Sequence, residues 1–283
     1  ASDGTIFLLT GAIESTYYSF SGKLIVTTVA KLASDSISAA EAQDLPNSML
    51  YGSTFDLKYD EDNQVLWATC GNRLYAYNKA GTVLKNFAPT DYRIGSDPYL
   101  ALITSITLVD GTLYYSVTDN DYSVGAVGKI TYDTSSGFNY LVDKDVLGGL
   151  ASDTQLFALN VGGNEQLLVR EYDYSSGEDT VVIYDTDDFS APIYEEHGVT
   201  SNLHAVAVSG NGNSLYLAQY DNGQVSALNK DGNTYAADTA RQYPPDGKLP
   251  AYPGGGGGGC DTGAGGIALI FLASAAILKR REG

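Results

Sequence analysis

The side chains in this sequence that could carry chemistry are few. Only two histidines occur, His197 and His204, and their seven-residue spacing does not match a pair of metal ligands on one helix face. No third ligand is clustered with them, so we predict structural or surface roles for both. The sequence also lacks the Gly-x-Ser-x-Gly, His-Glu-x-x-His and phosphate-cradling patterns of common enzyme classes. These observations predict no catalytic residue, no bound cofactor and no dedicated metal site.

Three acid-rich segments offer the oxygen ligands that calcium prefers. They are Asp60-Glu61-Asp62-Asn63, Asp119-Asn120-Asp121 and Asp185-Thr186-Asp187-Asp188. None has the full spacing of a calcium-binding loop, and Asp and Asn are common in tight turns. We expect turns at these segments and keep calcium as the alternative.

Tyrosine is frequent in the chain, with 22 residues. Pairs such as Tyr17-Tyr18 and Tyr114-Tyr115 could line a groove for carbohydrate or peptide, because the side chain has an apolar ring and a polar tip. Tyrosines on strands also pack between sheets. We expect the packing role for most of them, so the tyrosines alone do not identify a ligand.

The two cysteines lie in different kinds of sequence. Cys70 ends the strand-like run 65–70, where a small buried apolar side chain is the default role. Cys260 follows six glycines. We expect no disulfide between a core strand and a glycine-rich segment, so cysteine gives no argument about the redox compartment.

The net charge of −18 is unevenly spread along the chain. From Cys260 onward there are two acidic and three basic side chains, so the rest of the chain holds −19. A surface of this sign repels nucleic-acid phosphates and anionic lipid head groups. We therefore predict no nucleic-acid partner. Solubility explains the charge, and binding of cations or of a basic partner is the alternative.

The elements that must position these residues are strands. Charged residues make up only 18% of the chain, and Tyr, Val, Thr and Ile alternate with Gly, Asn and Asp, as in strands joined by tight turns. Residues 56–83 and 205–234 repeat one pattern: an apolar-alternating strand, a polar turn, two further strands and Asn-Lys-x-Gly. Each continues into a weaker fourth strand. Four antiparallel strands per unit are typical of a propeller blade.

Two middle units follow the same order, and Asp110-Gly111 and Asn222-Gly223 are strong hairpin signals. The first unit supplies only three strands, and a strand at 248–252 could complete it, although Pro250 opposes this. We predict an all-β fold, a β-propeller of about five four-stranded blades, with six blades or a β-sandwich as alternatives. The strands predicted for the first unit are 5–10, 23–29 and 36–39. Those predicted for the two middle units are 104–109, 112–118, 126–132 and 138–142 for one, and 156–161, 166–172, 180–185 and 192–195 for the other.

The third strands of the units end in similar sequences. Two end in Ile130-Thr131-Tyr132-Asp133-Thr134 and Val182-Ile183-Tyr184-Asp185-Thr186, and another ends in Leu-Asn-Lys-x-Gly. These endings resemble the YVTN/YncE-type propeller repeats of exported bacterial proteins. The resemblance covers most of the body and implies an exported propeller.

The last 30 residues differ in composition from the body. The glycines 254–259 precede Cys260, residues 263–278 carry no charge, and Lys279-Arg280-Arg281 follow. As a helix the uncharged segment would span roughly 24 Å, less than the roughly 30 Å of a hydrocarbon core. The basic cluster is predicted to lie on the cytoplasmic side, which places the body outside. We predict a sorting tail that a membrane protease recognises, with a permanent anchor or a buried helix as alternatives.

The sequence Gly-Gly-Gly-Cys-Asp-Thr-Gly-Ala-Gly-Gly, followed by an Ala/Leu/Ile run and Lys-Arg-Arg, resembles the bacterial C-terminal sorting tails of the Synergist-type (Synerg-CTERM) class. The resemblance implies export and surface sorting. Members of that class tend to have Asn-Ala where this chain has Asp261-Thr262. The predicted processing residues are Gly258, Gly259 and Cys260, and the predicted topology residues are Lys279, Arg280 and Arg281.

These observations divide the chain into a propeller body (1–250), a glycine-rich hinge (251–262) and an apolar tail (263–283). The first residues are expected to be a mature end left after processing, since a strand-like run follows at once. We predict an extracytoplasmic propeller, held at the cell envelope or surface, that binds a protein, peptide or glycan partner without catalysis and meets the membrane through its tail. The alternative is an extracytoplasmic metal-dependent hydrolase or lyase, which would need carboxylates that converge at the channel mouth.

Overall fold

The structure is a computed structural model. It describes residues 1–14, 19–34, 36–38, 42–45, 55–70, 72–93, 102–118, 124–151, 153–161, 163–173, 178–199, 203–209, 212–219, 225–231 and 234–238. Nineteen strands and two short helices lie within these ranges, in one compact unit, Ala1–Lys248. None of the helices in these ranges has the length and apolar character needed to cross a bilayer. The predicted hinge and tail, and the strand proposed at 248–252, lie outside the described residues.

The strands form five antiparallel sheets in which strands that are consecutive in the chain pair with each other. Sheet 1 contains β1 (Thr5–Glu14), β2 (Ser19–Thr28) and β3 (Ala42–Asp44). Sheet 2 contains β4 (Phe55–Asp60), β5 (Val65–Cys70), β6 (Arg73–Asn78) and β7 (Val83–Phe87). Sheet 3 contains β8 (Leu102–Val109), β9 (Thr112–Thr118), β10 (Gly125–Asp133) and β11 (Asn139–Leu150). Sheet 4 contains β12 (Asp153–Val161), β13 (Asn164–Asp173), β14 (Glu178–Asp185) and β15 (Tyr194–Val199). Sheet 5 contains β16 (Leu203–Val208), β17 (Ser214–Gln219), β18 (Val225–Asp231) and β19 (Thr234–Ala237).

The turn between β8 and β9 confirms one hairpin signal of the sequence. Val109 pairs with Thr112, so Asp110 and Gly111 form a two-residue turn, and their φ angles are 44° and 67°. Positive φ at both positions matches the twist of the flanking strands and suits Asp-Gly. The second signal, Asn222-Gly223, lies outside the described residues.

Strand β5 explains how the core is divided. All six of its residues are buried, and their side chains alternate between the two faces of sheet 2. Leu66, Ala68 and Cys70 join a cluster with sheet 1, whereas Val65 and Trp67 join a cluster with sheet 3. Similar apolar clusters lie between sheets 3 and 4 and between sheets 4 and 5. The core therefore consists of layers between successive sheets.

The first strands of successive sheets lie next to one another. Strand β1 contacts β4, β4 contacts β8, β8 contacts β12, and β12 contacts β16. Hydrogen bonds join β8 and β12: Ser105 Oγ accepts from Leu156 N, and Thr107 Oγ1 accepts from Ala158 N, both at 3.2 Å. First strands at the centre and apolar layers between the sheets are the arrangement of propeller blades. The predicted all-β propeller fold is confirmed, with one three-stranded and four four-stranded sheets among the described residues.

Sheet 1 differs from its predicted strands. Its third strand is Ala42–Asp44, which pairs with β2, and residues 36–38 belong to no strand. The predicted strand at 23–29 ends at Thr28, because Val29–Ala33 forms the short helix α1 with Thr28 as its N-cap. The backbone N–H of Ser36 donates to Lys31 O at 3.0 Å beyond the end of this helix. This local turn uses residues that the sequence pattern assigned to a strand. The second helix, α2 (Pro89–Tyr92), follows sheet 2.

Candidate binding groove between sheets 2 and 3

Three turns of sheets 2 and 3 meet at one end of these sheets. Strands β4 and β6 run in the same direction because both are antiparallel to β5, so the β4–β5 and β6–β7 turns share one end of sheet 2. The β10–β11 turn of sheet 3 contacts that end. The Tyr132 hydroxyl donates to Asp60 Oδ2 at 2.5 Å, and Thr134 Oγ1 donates to Asn63 O at 3.4 Å.

The three turns border an open groove of about 420 Å³. Its lining comes from the β4–β5 turn (Asn63 and Gln64), the β6–β7 turn and strand (Asn78, Lys79, Ala80 and Leu84) and the β10–β11 turn (Thr134, Gly137 and Phe138). This volume is within the range of about 300–1,000 Å³ that is usual for small-molecule sites. We define these nine residues as the sheet 2–3 groove.

Asp60 holds the first of these turns in place. It is 7% exposed, and Asp60 Oδ1 accepts from the backbone N–H groups of Asp62 (3.0 Å) and Asn63 (3.1 Å). Asp60 Oδ2 accepts from Asn63 Nδ2 at 2.8 Å and from the Tyr132 hydroxyl. Burial alone would raise the pKa of Asp60, but the hydrogen bonds from Tyr132 and Asn63 outweigh it, so this pKa lies below its usual range. The carboxylate therefore joins the two sheets.

The second turn carries the only charged side chain of the lining. Lys79 Nζ lies 2.6 Å from Asp3 Oδ2, and this hydrogen-bonded pair raises the pKa of Lys79. The turn itself is closed by backbone bonds, since Asn78 N donates to Thr82 O and Gly81 N donates to Asn78 O, both at 2.9 Å. Asn78 Oδ1 also accepts from Thr82 N at 2.9 Å. Together with Asp3, the lining is thus electrically neutral in sum.

The apolar side of the groove is the outer part of an aromatic cluster. Phe138 lies 6.0 Å from Trp67 and 6.0 Å from Tyr132, measured between ring centroids. Tyr132 lies 5.1 Å from Trp67 in an edge-on orientation. Phe138 is half-buried, so part of its ring faces the groove while Trp67 behind it is fully buried. The arrangement can bind a ligand that has both an apolar face and hydrogen-bonding groups.

The acid-rich segments do not come together in the part of the chain that the structure describes. Asp60–Asn63 lies beside the groove, as given above. In the β14–β15 turn, Asp185 Oδ1 accepts from Asp187 N at 3.0 Å and Asp188 Oδ1 accepts from Ser190 N at 2.9 Å. Both segments are turns, as predicted, and their carboxylates accept hydrogen bonds from their own turns. Asp119–Asp121 lies outside the described residues.

The remaining candidate residues are placed as follows. His197 is exposed on β15, with Nε2 2.9 Å from Glu195 Oε1. Strand β16 contains His204, whose side chain is not among the parts of the chain that the structure describes. Cys70 is buried in the layer between sheets 1 and 2. Within the described ranges no group of three or more His, Cys, Asp or Glu side chains is arranged to hold a metal ion. The processing and topology residues, Gly258, Gly259, Cys260, Lys279, Arg280 and Arg281, lie outside the described residues.

The tyrosines confirm the packing role. Tyr114 and Tyr115 are 3% and 0% exposed, and they point into different layers, next to sheet 4 and next to sheet 2 respectively. Burial raises the pKa of Tyr114 to about 12. Tyr17-Tyr18 lies outside the described residues. The groove instead uses Phe138, which follows the Tyr132-Asp133-Thr134 ending that the repeats share, and the Asn78-Lys79 turn, which the repeat pattern had singled out.

Comparisons with known proteins show the fold and nothing further. No family model and no curated protein matches the chain. Among solved structures, the Dos1 propeller has a TM-score of 0.50 at 12% identity, covering 82% of this chain and 58% of that chain. A protein of unknown function from Bacteroides caccae has a TM-score of 0.46 at 11% identity, covering 84% and 72%. Hsv2 from Kluyveromyces lactis has a TM-score of 0.43 at 12% identity, covering 78% and 61%. The chain therefore spans less than two thirds of the Hsv2 and Dos1 chains, and the Dos1 likeness supports a propeller fold.

Proposed function

We propose that this chain is an exported β-propeller, displayed at the cell envelope or surface, that acts as a non-enzymatic binding or structural module for a protein, peptide or glycan. The observation that carries this proposal is the sheet 2–3 groove. Its walls come from turns of two sheets, and Asp60–Tyr132 and Asn63–Thr134 hydrogen bonds join those turns. A groove built by joined turns is preformed, which reduces the entropy lost when a ligand binds.

The use of the titratable groups favours binding over catalysis. General acids and bases need a carboxylate or imidazole that can exchange a proton with substrate. Asp60 accepts four hydrogen bonds from Asp62, Asn63 and Tyr132 instead. The buried Asp179 accepts from Arg170 Nε at 2.7 Å. In these places the carboxylates are engaged in hydrogen bonds within the fold.

Display at the envelope is proposed from the tail sequence. The uncharged segment 263–278 is followed by Lys279, Arg280 and Arg281, the order expected when the basic end stays in the cytoplasm. The glycines before Cys260 give a hinge that separates the body from the membrane. The body would then face outward, where its high negative charge favours solubility.

Fractionation of cells tests this location. The full chain should be found in the envelope fraction, with the body digested by protease added to intact cells. Truncation after Pro253 should release the body from the envelope and leave its melting temperature unchanged, because the tail is proposed to contribute nothing to the core. Replacement of Lys279, Arg280 and Arg281 by Ser is the matched variant, and it should disturb sorting while the body still folds. A full chain that stays in the cytoplasm, or a truncation that lowers the melting temperature by several degrees, would contradict the proposal.

A further inference from the structure

The polar lining of the sheet 2–3 groove is uncharged, apart from one paired ammonium. Three side chains are amides, Asn63, Gln64 and Asn78, and Thr134 adds a hydroxyl. Amides both donate and accept hydrogen bonds, as sugar hydroxyls do. Asn63 Nδ2 donates to Asp60, and Asn78 Oδ1 accepts from Thr82 N, so internal contacts fix the orientation of both amides. The groove therefore presents oriented amide groups.

The opposite side of the groove is apolar. Phe138 is supported from behind by Trp67 and Tyr132, and Leu84 extends the apolar surface. The face of an aromatic ring carries partial negative charge. It attracts the partly positive C–H groups that cover one face of a sugar ring. A ligand with one C–H face and several hydroxyls matches both walls.

The charged side chains around the groove restrict the charge of the ligand that can bind in it. Lys79 is already paired with Asp3, so it offers little positive charge to an anionic ligand. Exposed carboxylates on the neighbouring turns, Glu61, Asp62 and Asp133, disfavour phosphate or sulfate. An uncharged ligand avoids this repulsion.

The backbone of the groove argues against an extended peptide. Peptides that add to a sheet use the open N–H and C=O groups of an edge strand. Here most of the wall is made of turns, with Leu84 of β7 as the exception, and the N–H groups of Asn78, Gly81 and Thr82 already donate within their turn. Side chains therefore provide most of the hydrogen bonding to a ligand.

We infer that the sheet 2–3 groove binds a neutral saccharide through the amides of Asn63, Gln64 and Asn78 and the ring of Phe138. This inference rests on the proposed function and names the class of ligand for the same site. The binding is electrically neutral, so it should depend little on salt concentration.

The fluorescence of Trp67 reports on ligand binding in the groove. This residue is the only tryptophan of the chain, and it lies 6.0 Å from Phe138. The full-length chain is titrated with linear trisaccharides of glucose, xylose, mannose and N-acetylglucosamine, and with a sulfated heparin fragment as the charged comparison. At least one neutral trisaccharide should change the Trp67 emission in a saturable way at millimolar concentrations, in low and in high salt, and the heparin fragment should not.

Two arginine substitutions locate the binding. Ala80→Arg places a long side chain in the groove from an exposed turn position, and it should weaken the affinity by about tenfold or more. Ala191→Arg is the matched control, because Ala191 is also exposed and lies in the corresponding third-to-fourth-strand turn of sheet 4. It should leave the affinity unchanged. Equal melting temperatures of the two variants show that both are folded.

Three outcomes would overturn the inference. They are the absence of saturable binding with every neutral trisaccharide, binding of the sulfated fragment alone, and equal affinities of Ala80→Arg and the unsubstituted chain. If the saccharides fail while the chain is still displayed outward at the envelope, the proposed function stands and its ligand belongs to another class. If the chain is not displayed there, the proposed function itself fails.

Discussion

Tyr132→Phe should weaken the junction between sheets 2 and 3. The Tyr132 hydroxyl donates to Asp60 Oδ2 at 2.5 Å, and Asp60 is only 7% exposed. The substitution removes one oxygen and leaves the contacts of the ring with Trp67 and Phe138 in place. Hydrogen bonds to charged groups contribute about 1.5–3 kcal/mol, so we expect the free energy of unfolding to fall by about 2 kcal/mol.

The loss of unfolding free energy in Tyr132→Phe should depend on pH in a defined direction. The pKa of Asp60 lies below its usual range because its hydrogen bonds outweigh the effect of burial. A carboxyl whose pKa is lowered by folding stabilises the fold above its unfolded pKa of about 4, and this contribution is lost as the pH falls through the folded-state pKa. Without the Tyr132 hydroxyl the folded-state pKa rises. The difference in unfolding free energy between the unsubstituted chain and Tyr132→Phe should therefore be largest at neutral pH and shrink as the pH falls below about 4.

Denaturant unfolding followed by Trp67 fluorescence measures this difference. Tyr140→Phe is the control, because Tyr140 belongs to the same aromatic cluster and is 40% exposed, and its loss should stay within about 0.5 kcal/mol. In a double-mutant cycle, Tyr132→Phe and Asp60→Asn should show a coupling energy above about 0.5 kcal/mol. A Tyr132→Phe loss no larger than that of the control, or a loss that does not change with pH, would show that the Tyr132–Asp60 hydrogen bond does not stabilise the junction between sheets 2 and 3.

Three further predictions concern a buried ion pair, a close contact and calcium. Arg170 Nη2 lies 2.6 Å from Asp179 Oδ1, and both side chains are almost fully buried, so Arg170→Met leaves Asp179 buried without its cation. The unfolding free energy should then fall by about 3–5 kcal/mol. The double variant Arg170→Met with Asp179→Leu should recover much of this loss in the same denaturation assay. Gly128→Ala should lower the free energy of unfolding by about 1–3 kcal/mol, because a Cβ at that position would overlap the Tyr115 hydroxyl and approach Asp143 O. Gly148→Ala is the control, since a Cβ there would lie 3.3 Å from its nearest neighbouring atom. It should have a smaller effect on the melting temperature. Millimolar calcium should leave the melting temperature of the chain unchanged, and a rise that increases with calcium concentration would show a specific ion site.

The sequence predicted those parts of the fold that depend on local pattern. Asp110-Gly111 fixed one hairpin because the two residues accept positive φ. The strands of sheet 2 were predictable because runs of apolar, aromatic and β-branched residues are separated by polar turns. Sheet 1 was less predictable, since the side chain of Thr28 starts a helix where β-branched residues indicated a strand. Local signals compete at such places, and contacts decide between them.

The groove could not be located from sequence. It depends on the contact of Asp60 with Tyr132, which is 72 residues away, and no local pattern encodes that pairing. The Tyr-Asp-Thr ending of β10 and the Asn-Lys-x-Gly turn after β6 were both visible in the repeats. Only the packing of sheet 2 against sheet 3 shows that they line one groove.

Site-specific photocrosslinking in intact cells tests whether the sheet 2–3 groove is an outward-facing binding site. A photoreactive amino acid is placed at position 80 of the full chain, in the sheet 2–3 groove, and in a second variant at position 191. An adduct is expected from position 80 and none from position 191, and the adduct should be removed by protease added outside the cells. Equal adducts from both positions, no adduct from position 80, or an adduct protected from the external protease would contradict an outward-facing binding propeller.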